Sequence, residues 1–374
     1  MKALVVGGTG PSGPYVIQDL LDRGHDVTIL HRGVHEPPGL PDVRHIHADR
    51  HFAEPLQDAL RGEKFDIVFG LYGRLEVLAD VFAHRCEKFI TVGGRPIYAG
   101  YLDPSGTYPR GMQLLTPEDG PLGDGAHIPD SKSKRFAVKM HAAEEAVMSR
   151  HRAGAYKATL FRYPYIYGPR ALGSVEWSVI KRVQDGRTSV NLPMAGLVTN
   201  GRCSAVNAAH YLMLALDSDT AWGEIFNPAD EVQYTLAQWV ELIAGAMGAK
   251  LDIVDVPNAL RWTVTNFLFY AGTVTDMALA DISKAKRLLN YRDKVKPVDA
   301  LADTVRWYQQ NPLDWQADRN FPDKFDYALE DKVKAELEAL TAKFEPMKPN
   351  LEAVHTYAHP KKPSVGGQVD EKGR

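Results

Sequence analysis

The first 162 residues alternate short β-rich runs with helical segments, and this alternation constrains the fold more than any other feature of the sequence. The β-rich runs are short and bounded by turn residues, whereas the segments between them have helical character, as in PYVIQDLLDRG. The runs are ALVV, VTIL, VRHI, FDIVFG, KFITV and KATLF. Strands that alternate with helices in this way form a parallel sheet covered by helices on both faces. We therefore predict an α/β fold with a doubly wound parallel sheet.

Beyond Arg162 the alternation loosens, which predicts a smaller α/β domain seated on the carboxyl edge of the sheet. Short strands are expected at EIFNP and LDIVDV. Helices are expected at Val175 to Asp185, Ala205 to Asp217, Thr235 to Gly248 and Pro297 to Gln310. We predict a dinucleotide-binding domain over 1–170, a substrate domain intertwined with it over 171–320, and a third part over 321–374. That third part consists of a charged amphipathic helix, Asp326 to Phe344, and a polar, mobile tail from Lys361.

The segment VVGGTGPSGPYVIQDLLDRG places three glycines between the first strand and the first helix. Gly7, Gly10 and Gly13 permit a tight turn and a close approach of the backbone, and the helix N-terminus offers N–H groups to a pyrophosphate. Pro11 and Ser12 complete the turn. In a strand-turn-helix context at the start of an α/β chain, this spacing predicts a Rossmann-type dinucleotide site. The alternative is a glycine turn with a purely structural role.

The residues after the second strand bear on the choice of dinucleotide. An acidic residue at this point accepts hydrogen bonds from the ribose of NAD, but here His31 and Arg32 follow. Arg32 can neutralise a 2′-phosphate, so we predict NADP, with NAD as the alternative. A solvated arginine at a strand end is the competing interpretation. We assign Asp49 to the adenine side, and add Leu71 and Tyr163 to the cofactor set.

Five histidines lie close together in this part of the sequence: His31, His35, His45, His47 and His51. His45 and His47 share one face of a strand, which is a spacing that metal ligands use. No cysteine or carboxylate cluster completes such a set, and we predict no metal site.

Composition and charge exclude several classes of protein. The chain has 44 Lys and Arg against 47 Asp and Glu, a net charge of −3, so no global basic character indicates a nucleic-acid or membrane surface. Cys86 and Cys203 lie far apart and fit a reducing compartment, hence a cytoplasmic location. The N-terminal MKALVVGGTG lacks the features of a signal peptide, and no apolar run is long enough for a membrane span.

Together with FRYPYIYGPR, GEIFNPADEVQYTLAQWVELI and DISKAKRLLNY, the glycine loop resembles the extended short-chain dehydrogenase/reductase superfamily, which includes nucleotide-sugar epimerases and dehydratases. The resemblance runs from Met1 to about Pro312. It implies an NAD(P)-binding Rossmann domain, a C-terminal substrate domain, a small-molecule substrate and a homodimer.

In that superfamily a tyrosine, a lysine four residues later and a serine or threonine transfer protons beside the nicotinamide. The corresponding positions here are Phe136, Met140 and Gly94, none of which carries a titratable proton. Phe136 and Met140 share an apolar helical stripe with Ala143 and Val147. The chain is therefore similar to an atypical member that lacks the Ser/Tyr/Lys set. A register shifted by one residue would instead bring Lys139 to the lysine position.

If catalysis persists, other groups must supply the proton. Lys139 and His141 flank the lost lysine position, and Tyr165 follows the sixth strand where relatives carry asparagine. Each has a structural interpretation as well, as a solvent-facing helix residue or a ring that caps a loop. Candidates to line the substrate pocket are Tyr98, Phe136, Arg170, Trp177 and Arg202.

Three functions remain open at this point. The first is an NADP-dependent reductase, epimerase, isomerase or lyase with a rebuilt catalytic set, acting on a carbonyl or hydroxyl substrate. The second is an RNA-binding or nucleolytic protein, because IYGPRALGSVEWSVIKRVQDGR and ADRNFPDKFDYALED resemble the chloroplast stem-loop-binding branch and SKSKR is basic. The third is a catalytically silent dinucleotide sensor. We favour the first, and rank a nucleic-acid partner behind a small molecule.

Overall fold

The computed structural model describes residues 1–34, 40–71, 73–123, 132–171, 175–264, 277–317, 321 and 323–349. The predicted tail from Lys361 to Arg374 lies outside this range. By their internal packing, Met1–Glu330 and Asp331–Arg374 form two compact units. No helix in the described ranges is both long enough and apolar enough to cross a membrane.

Eleven strands occur in the described chain, and seven of them form one sheet in the order β10-β6-β5-β4-β1-β2-β3. All six pairings in this sheet are parallel. The predicted doubly wound, Rossmann-type parallel sheet is thereby confirmed. The strands are β1 (Lys2–Val6), β2 (Asp26–His31), β3 (Arg44–His47), β4 (Phe65–Gly70), β5 (Cys86–Gly94), β6 (Lys157–Tyr163), β7 (Tyr165–Tyr167), β8 (Ser189–Pro193), β9 (Arg202–Ser204), β10 (Ile225–Phe226) and β11 (Asp252–Val256).

Helices cover both faces of this sheet, as strands that are apolar on both sides require. On one face α1 and α6 pack against the core that contains Val5, Ile17 and Leu212. On the other face α2, α3 and α4 enclose the core that contains Val68, Phe82 and Val147. The helices are α1 (Gly13–Asp22), α2 (Ala53–Leu60), α3 (Leu75–Phe82), α4 (Lys132–Arg152), α5 (Val175–Gln184), α6 (Ala205–Asp217), α7 (Leu236–Ala246), α8 (Ser283–Leu288), α9 (Pro297–Gln310) and α10 (Tyr327–Phe344).

The segment after β6 builds a second core beside the carboxyl ends of the strands. Parallel pairs β7–β9 and β8–β11 frame it, and α5, α7 and α9 pack together around Trp239. Thr235 caps α7 in a capping box with Gln238, which fixes where that helix begins. Because β10 adds to the edge of the large sheet, the sheet takes one strand from the part of the sequence assigned to the substrate domain. The division at 170 and 320 itself remains a prediction.

Candidate functional site

The glycine loop forms a turn in which two glycines are required for different physical reasons. Gly7 has a φ of +81°, in the region that favours glycine. At Gly13 a Cβ would lie 2.1 Å from the carbonyl oxygen of Gly8, so α1 can begin this close to the end of β1 only with glycine there. At Gly10 the nearest atom to a Cβ would be the Gly7 oxygen at 3.8 Å, which leaves room for an approaching ligand. This is the arrangement that brings a pyrophosphate against backbone N–H groups.

The loop is tied to the end of β6 through Ser12 and Tyr163. Ser12 is buried, and its Oγ lies 3.5 Å from the hydroxyl of Tyr163. Pro11 directly precedes Ser12 in the turn. Leu71, directly after β4, is held by the bond from its N–H to the Val6 carbonyl and packs against the same core as Tyr163. The carboxyl ends of β1, β4 and β6 therefore converge on the loop, where the cofactor set was predicted.

Arg32 and Asp49 are neighbours in the structure. Hydrogen bonds from the N–H and Nδ1 of His51 lower the pKa of the Asp49 carboxyl, and the positive charge of Arg32 contributes further. Arg32 is exposed at the end of β2. The negative charge of Asp49 therefore partly offsets the positive charge of Arg32 that a 2′-phosphate would meet.

Three of the histidines form a cluster at the edge of the sheet. The register of β2 on β3 pairs His31 with His47, and the ligand atoms of His31, His45 and His47 all lie within 4.8 Å of one another. Gly33 donates its N–H to Nδ1 of His31, so the proton of that ring belongs on Nε2, 3.0 Å from Nδ1 of His45. A metal bound at Nε2 would require this proton to leave. The cluster in this form is a hydrogen-bonded group, and the absence of a metal site remains a prediction.

Two of the positions predicted to replace the usual catalytic residues, Gly94 and Met140, lie together at the end of β5. A Cβ on Gly94 would approach Cε of Met140 to 3.3 Å, so β5 and α4 meet at these two residues. Met140 packs against the small core of Ile97, Tyr98 and Tyr101, whereas Phe136 one turn earlier is 49% exposed. The apolar stripe of α4 thus runs from the buried Val147 to a half-exposed ring.

The three alternative proton donors differ in their surroundings. Lys139 is exposed on α4. His141 is partly buried and its Nε2 contacts the carbonyl oxygen of Gly123. Tyr165 is buried; its hydroxyl accepts from the N–H of Val175 at 3.2 Å and donates to Glu176 at 3.3 Å. Their catalytic roles remain predictions, and the contacts of His141 and Tyr165 also serve to hold the structure.

A buried polar network that the sequence did not reveal surrounds Tyr98. Arg162 donates to both carboxylate oxygens of Glu144, at 3.0 and 2.9 Å, and to the Tyr98 hydroxyl at 2.8 Å. That hydroxyl donates to Oδ1 of Asn227 at 2.8 Å. Burial raises the pKa of Tyr98, although the Arg162 charge opposes the shift. The network fastens α4, β6 and the chain after β10 to the end of β5. In the sequence, Arg162 of FRYPYIYGPR and Glu144 lie 18 residues apart, and nothing in the local pattern shows that they pair.

The remaining predicted substrate residues lie in the second core. Trp177 is 4% exposed, and its Nε1 makes no hydrogen bond within the described ranges. Arg170 has a φ of +65° and lies over the ring of Trp307 at 5.9 Å. Arg202 lies over Trp239 at 4.7 Å and donates to the Tyr234 carbonyl. Their roles toward a substrate remain predictions.

Sequence comparison finds relatives along most of the chain, although no family model matches it. The chloroplast stem-loop binding protein of 41 kDa b from Arabidopsis thaliana is 24% identical over 324 residues, which cover 81% of this chain and 78% of the relative. A 3-diazoavenalumate denitrifying reductase from Streptomyces is 26% identical over 298 residues, covering 74% of this chain and 93% of the relative.

Among solved structures, the UDP-glucose 4-epimerase of Thermotoga maritima with UDP-glucose superimposes with a TM-score of 0.65. It is 19% identical, and the match covers 83% of this chain and 99% of the epimerase. The chain thus has the fold of the extended short-chain dehydrogenase/reductase superfamily and resembles its NAD-dependent epimerase and dehydratase members, as its motifs predicted.

Proposed function

We propose that this protein is an NAD(P)-dependent enzyme that acts on a carbonyl or hydroxyl group of a small, sugar-like molecule through a catalytic set without the usual tyrosine and lysine. The observation that carries the proposal is the geometry of the glycine loop. Gly13 admits no side chain, and the space beside Gly10 is open to a ligand. Gly13 lets α1 begin close to the end of β1, and the open space beside Gly10 is where a phosphate group would approach the backbone N–H groups.

The residues that would hold the dinucleotide follow from this geometry. The backbone of Gly7 to Gly13 would receive the pyrophosphate, Arg32 and Asp49 would lie at the adenosine end, and Tyr163 would flank the nicotinamide end. A bound nicotinamide supplies a hydride donor or acceptor. Gly94, Phe136 and Met140 would form a wall that excludes water but exchanges no proton, so the proton must pass through another group, for which Lys139, His141 and Tyr165 remain our candidates.

The preference for NADP, the homodimer and the cytoplasmic location belong to the same proposal. Arg32 supports NADP because a guanidinium can form paired hydrogen bonds with a phosphate. The relatives named above include an epimerase and a reductase, which supports enzymatic activity. The reaction could be reduction, epimerisation, isomerisation or elimination.

A variant of the loop tests the proposal. Gly10→Ala adds a methyl group that meets no protein atom closer than 3.8 Å, but it stands where the pyrophosphate would approach. We expect the wild-type protein to bind NADPH and NADP more tightly than NADH and NAD by calorimetry and nicotinamide fluorescence. Gly10→Ala should weaken all four by about tenfold or more, with an unchanged melting temperature. Arg32→Ala should remove the preference for NADP.

Gly245→Ala is the matched control, because a Cβ there meets nothing within 4 Å and Gly245 lies in α7, outside the proposed site. It should bind as the wild type does. Absence of dinucleotide binding in the wild-type protein would reject the proposal.

RNA binding is the second candidate, favoured by the similarity to the stem-loop binding protein. The side chains of the basic stretch from Ser131 to Arg135 lie outside the described part of the structure. A silent dinucleotide sensor would bind the cofactor like an enzyme but turn over no substrate.

A further inference from the structure

Arg95 is a fully buried arginine whose charge has no carboxylate partner in the described part of the chain. It directly follows Gly94 and is 0% exposed. Nη2 donates to the carbonyl oxygen of Pro228 at 2.7 Å, but Nε and Nη1 make no hydrogen bond with any described residue. Burial lowers the pKa of the Arg95 guanidinium, and the groups that oppose the shift are Tyr and Cys side chains, not acids.

Two other buried arginines are each paired with carboxylates. Arg162 has both oxygens of Glu144, and Arg182 is held between Asp323 and Glu330. A buried charge without a partner is strongly destabilising, so such a group is compensated by a ligand, an ion or buried water, or is retained for function. Arg95 therefore needs a partner that the described residues do not supply.

Among the described residues, a second donor without an acceptor lies near the two unpaired nitrogens of Arg95. A Cβ at Gly201 would lie 1.9 Å from Nη1, so only glycine at 201 leaves space for the guanidinium. The preceding residue, Asn200, is 7% exposed, and its Nδ2 also makes no hydrogen bond within the described ranges. Oδ1 of Asn200 lies 3.5 Å from the hydroxyl of Tyr101. Two buried side chains next to Gly201, Arg95 and Asn200, thus have N–H groups without acceptors among the described residues.

A set of buried donors around one positive charge is complementary to an oxyanion. The set stands next to Gly94 and Met140, where the chemistry of the proposed enzyme would take place. We propose that Arg95 and Asn200 form a subsite for an oxyanion of the substrate, a carboxylate or a phosphate. This inference rests on the proposed function, because it assigns a charge to the molecule that the enzyme converts.

The proposal predicts that Arg95→Met raises the melting temperature of the protein and at the same time weakens oxyanion binding. Methionine keeps an unbranched, flexible side chain but removes the unpaired charge, so the melting temperature of the ligand-free protein should rise by a few degrees. Binding of the oxyanion should weaken by about tenfold or more. Arg182→Met is the matched control: it strands two buried carboxylates, and its melting temperature should fall.

The test uses the full chain and three probes, namely inorganic phosphate, UDP-glucose and glucuronate. Thermal unfolding is followed in phosphate and in chloride at equal ionic strength, and calorimetry measures UDP-glucose, which has phosphates only, and glucuronate, which has a carboxylate only. Loss of the phosphate stabilisation or of UDP-glucose binding in Arg95→Met would assign a phosphate, and loss of glucuronate binding a carboxylate. Either result, with the raised melting temperature, supports the subsite.

Three results would overturn it: a wild-type protein that responds to none of the probes, unchanged binding in Arg95→Met, or a melting temperature that falls as in Arg182→Met. The last would mean that buried water satisfies Arg95 as a structural residue. The two proposals can fail separately. If Gly10→Ala abolishes dinucleotide binding but Arg95→Met leaves oxyanion binding unchanged, the enzyme proposal stands and the subsite does not. An Arg95-dependent phosphate response without any dinucleotide binding would leave only the subsite.

Discussion

Gly94 and Met140 meet at the end of β5 with no ionisable atom between them. A Cβ on Gly94 would reach Cε of Met140 at 3.3 Å, and Met140 packs on the apolar cluster that includes Ile97 and Tyr101. The surface at these two predicted catalytic positions is therefore hydrocarbon and thioether. Such a surface can exclude water and strengthen nearby electrostatic interactions, but it cannot donate or accept a proton.

Restoring the tyrosine and lysine at these positions should not restore ordinary dehydrogenase chemistry. Met140→Lys places an ammonium group against the apolar cluster, which we expect to cost about 1–3 kcal/mol of unfolding free energy in urea titrations. Lys139→Met, on the exposed side of α4, should change it by about 0.5 kcal/mol or less. Phe136→Tyr combined with Met140→Lys should produce no NADH or NADPH from UDP-glucose. If this double variant gains dehydrogenase turnover, the proposal that groups other than the usual tyrosine and lysine transfer the proton is wrong.

At the scale of elements, local pattern predicted the architecture and long-range pairing determined the site. Eight of the eleven strands in the described chain and the helices α6 and α9 follow from periodicity and turn residues that lie close together in the sequence, whereas β7, β8 and β9 were not predicted. His31 joins His45 only through the register of β2 on β3, and Arg162 finds Glu144 across 18 residues of chain. Neither contact has a local signal. The lack of a carboxylate partner for Arg95 among the described residues has no local signal either, because it depends on contacts with chain segments distant in the sequence.

Asp230 joins β7, β9 and α6 and should make stability depend on pH. It accepts from the hydroxyl of Tyr167 in β7, from the N–H of Ser204 in β9 and from the amide of Asn207 in α6. Burial raises the pKa of Asp230 from 3.8 to about 6, against the effect of these donors. Between these values the folded state binds more protons than the unfolded state, so the unfolding free energy falls as pH rises from about 4 to about 6.

The decrease that Asp230 contributes should be about 3 kcal/mol, from the difference between 3.8 and about 6. Asp230→Asn removes the titrating group. The unfolding free energy of this variant should therefore not decrease between about pH 4 and about pH 6 by the part that Asp230 contributes, even if the variant is less stable at every pH. Asp58→Asn, on the exposed side of α2, should keep the wild-type slope. Urea titrations at several pH values between 4 and 7 measure the three slopes. Equal slopes in the wild type and Asp230→Asn would refute the assignment.

At the scale of the whole molecule, charge separates the two leading functions. The chain carries 44 basic against 47 acidic residues, so binding of RNA would depend on a local basic surface and would weaken steeply as salt displaces the phosphate contacts. A dinucleotide held by the glycine loop depends mainly on backbone N–H groups and close packing, which salt screens far less. The two ligands therefore differ in how their affinities respond to ionic strength.

We expect a stem-loop RNA to bind weakly at low salt and not measurably at about 0.15 M, the physiological ionic strength. NADPH should bind at both salt concentrations, because the loop geometry that receives it does not change. Gly10→Ala distinguishes a shared site from separate ones: RNA affinity that falls with NADPH affinity in this variant would place RNA on the loop. Fluorescence anisotropy of labelled RNA and calorimetry of NADPH, each over a salt series, provide the comparison. Tight RNA binding at physiological salt together with no NADPH binding would reverse our ranking, because the glycine loop would then be a feature of the fold without its ligand.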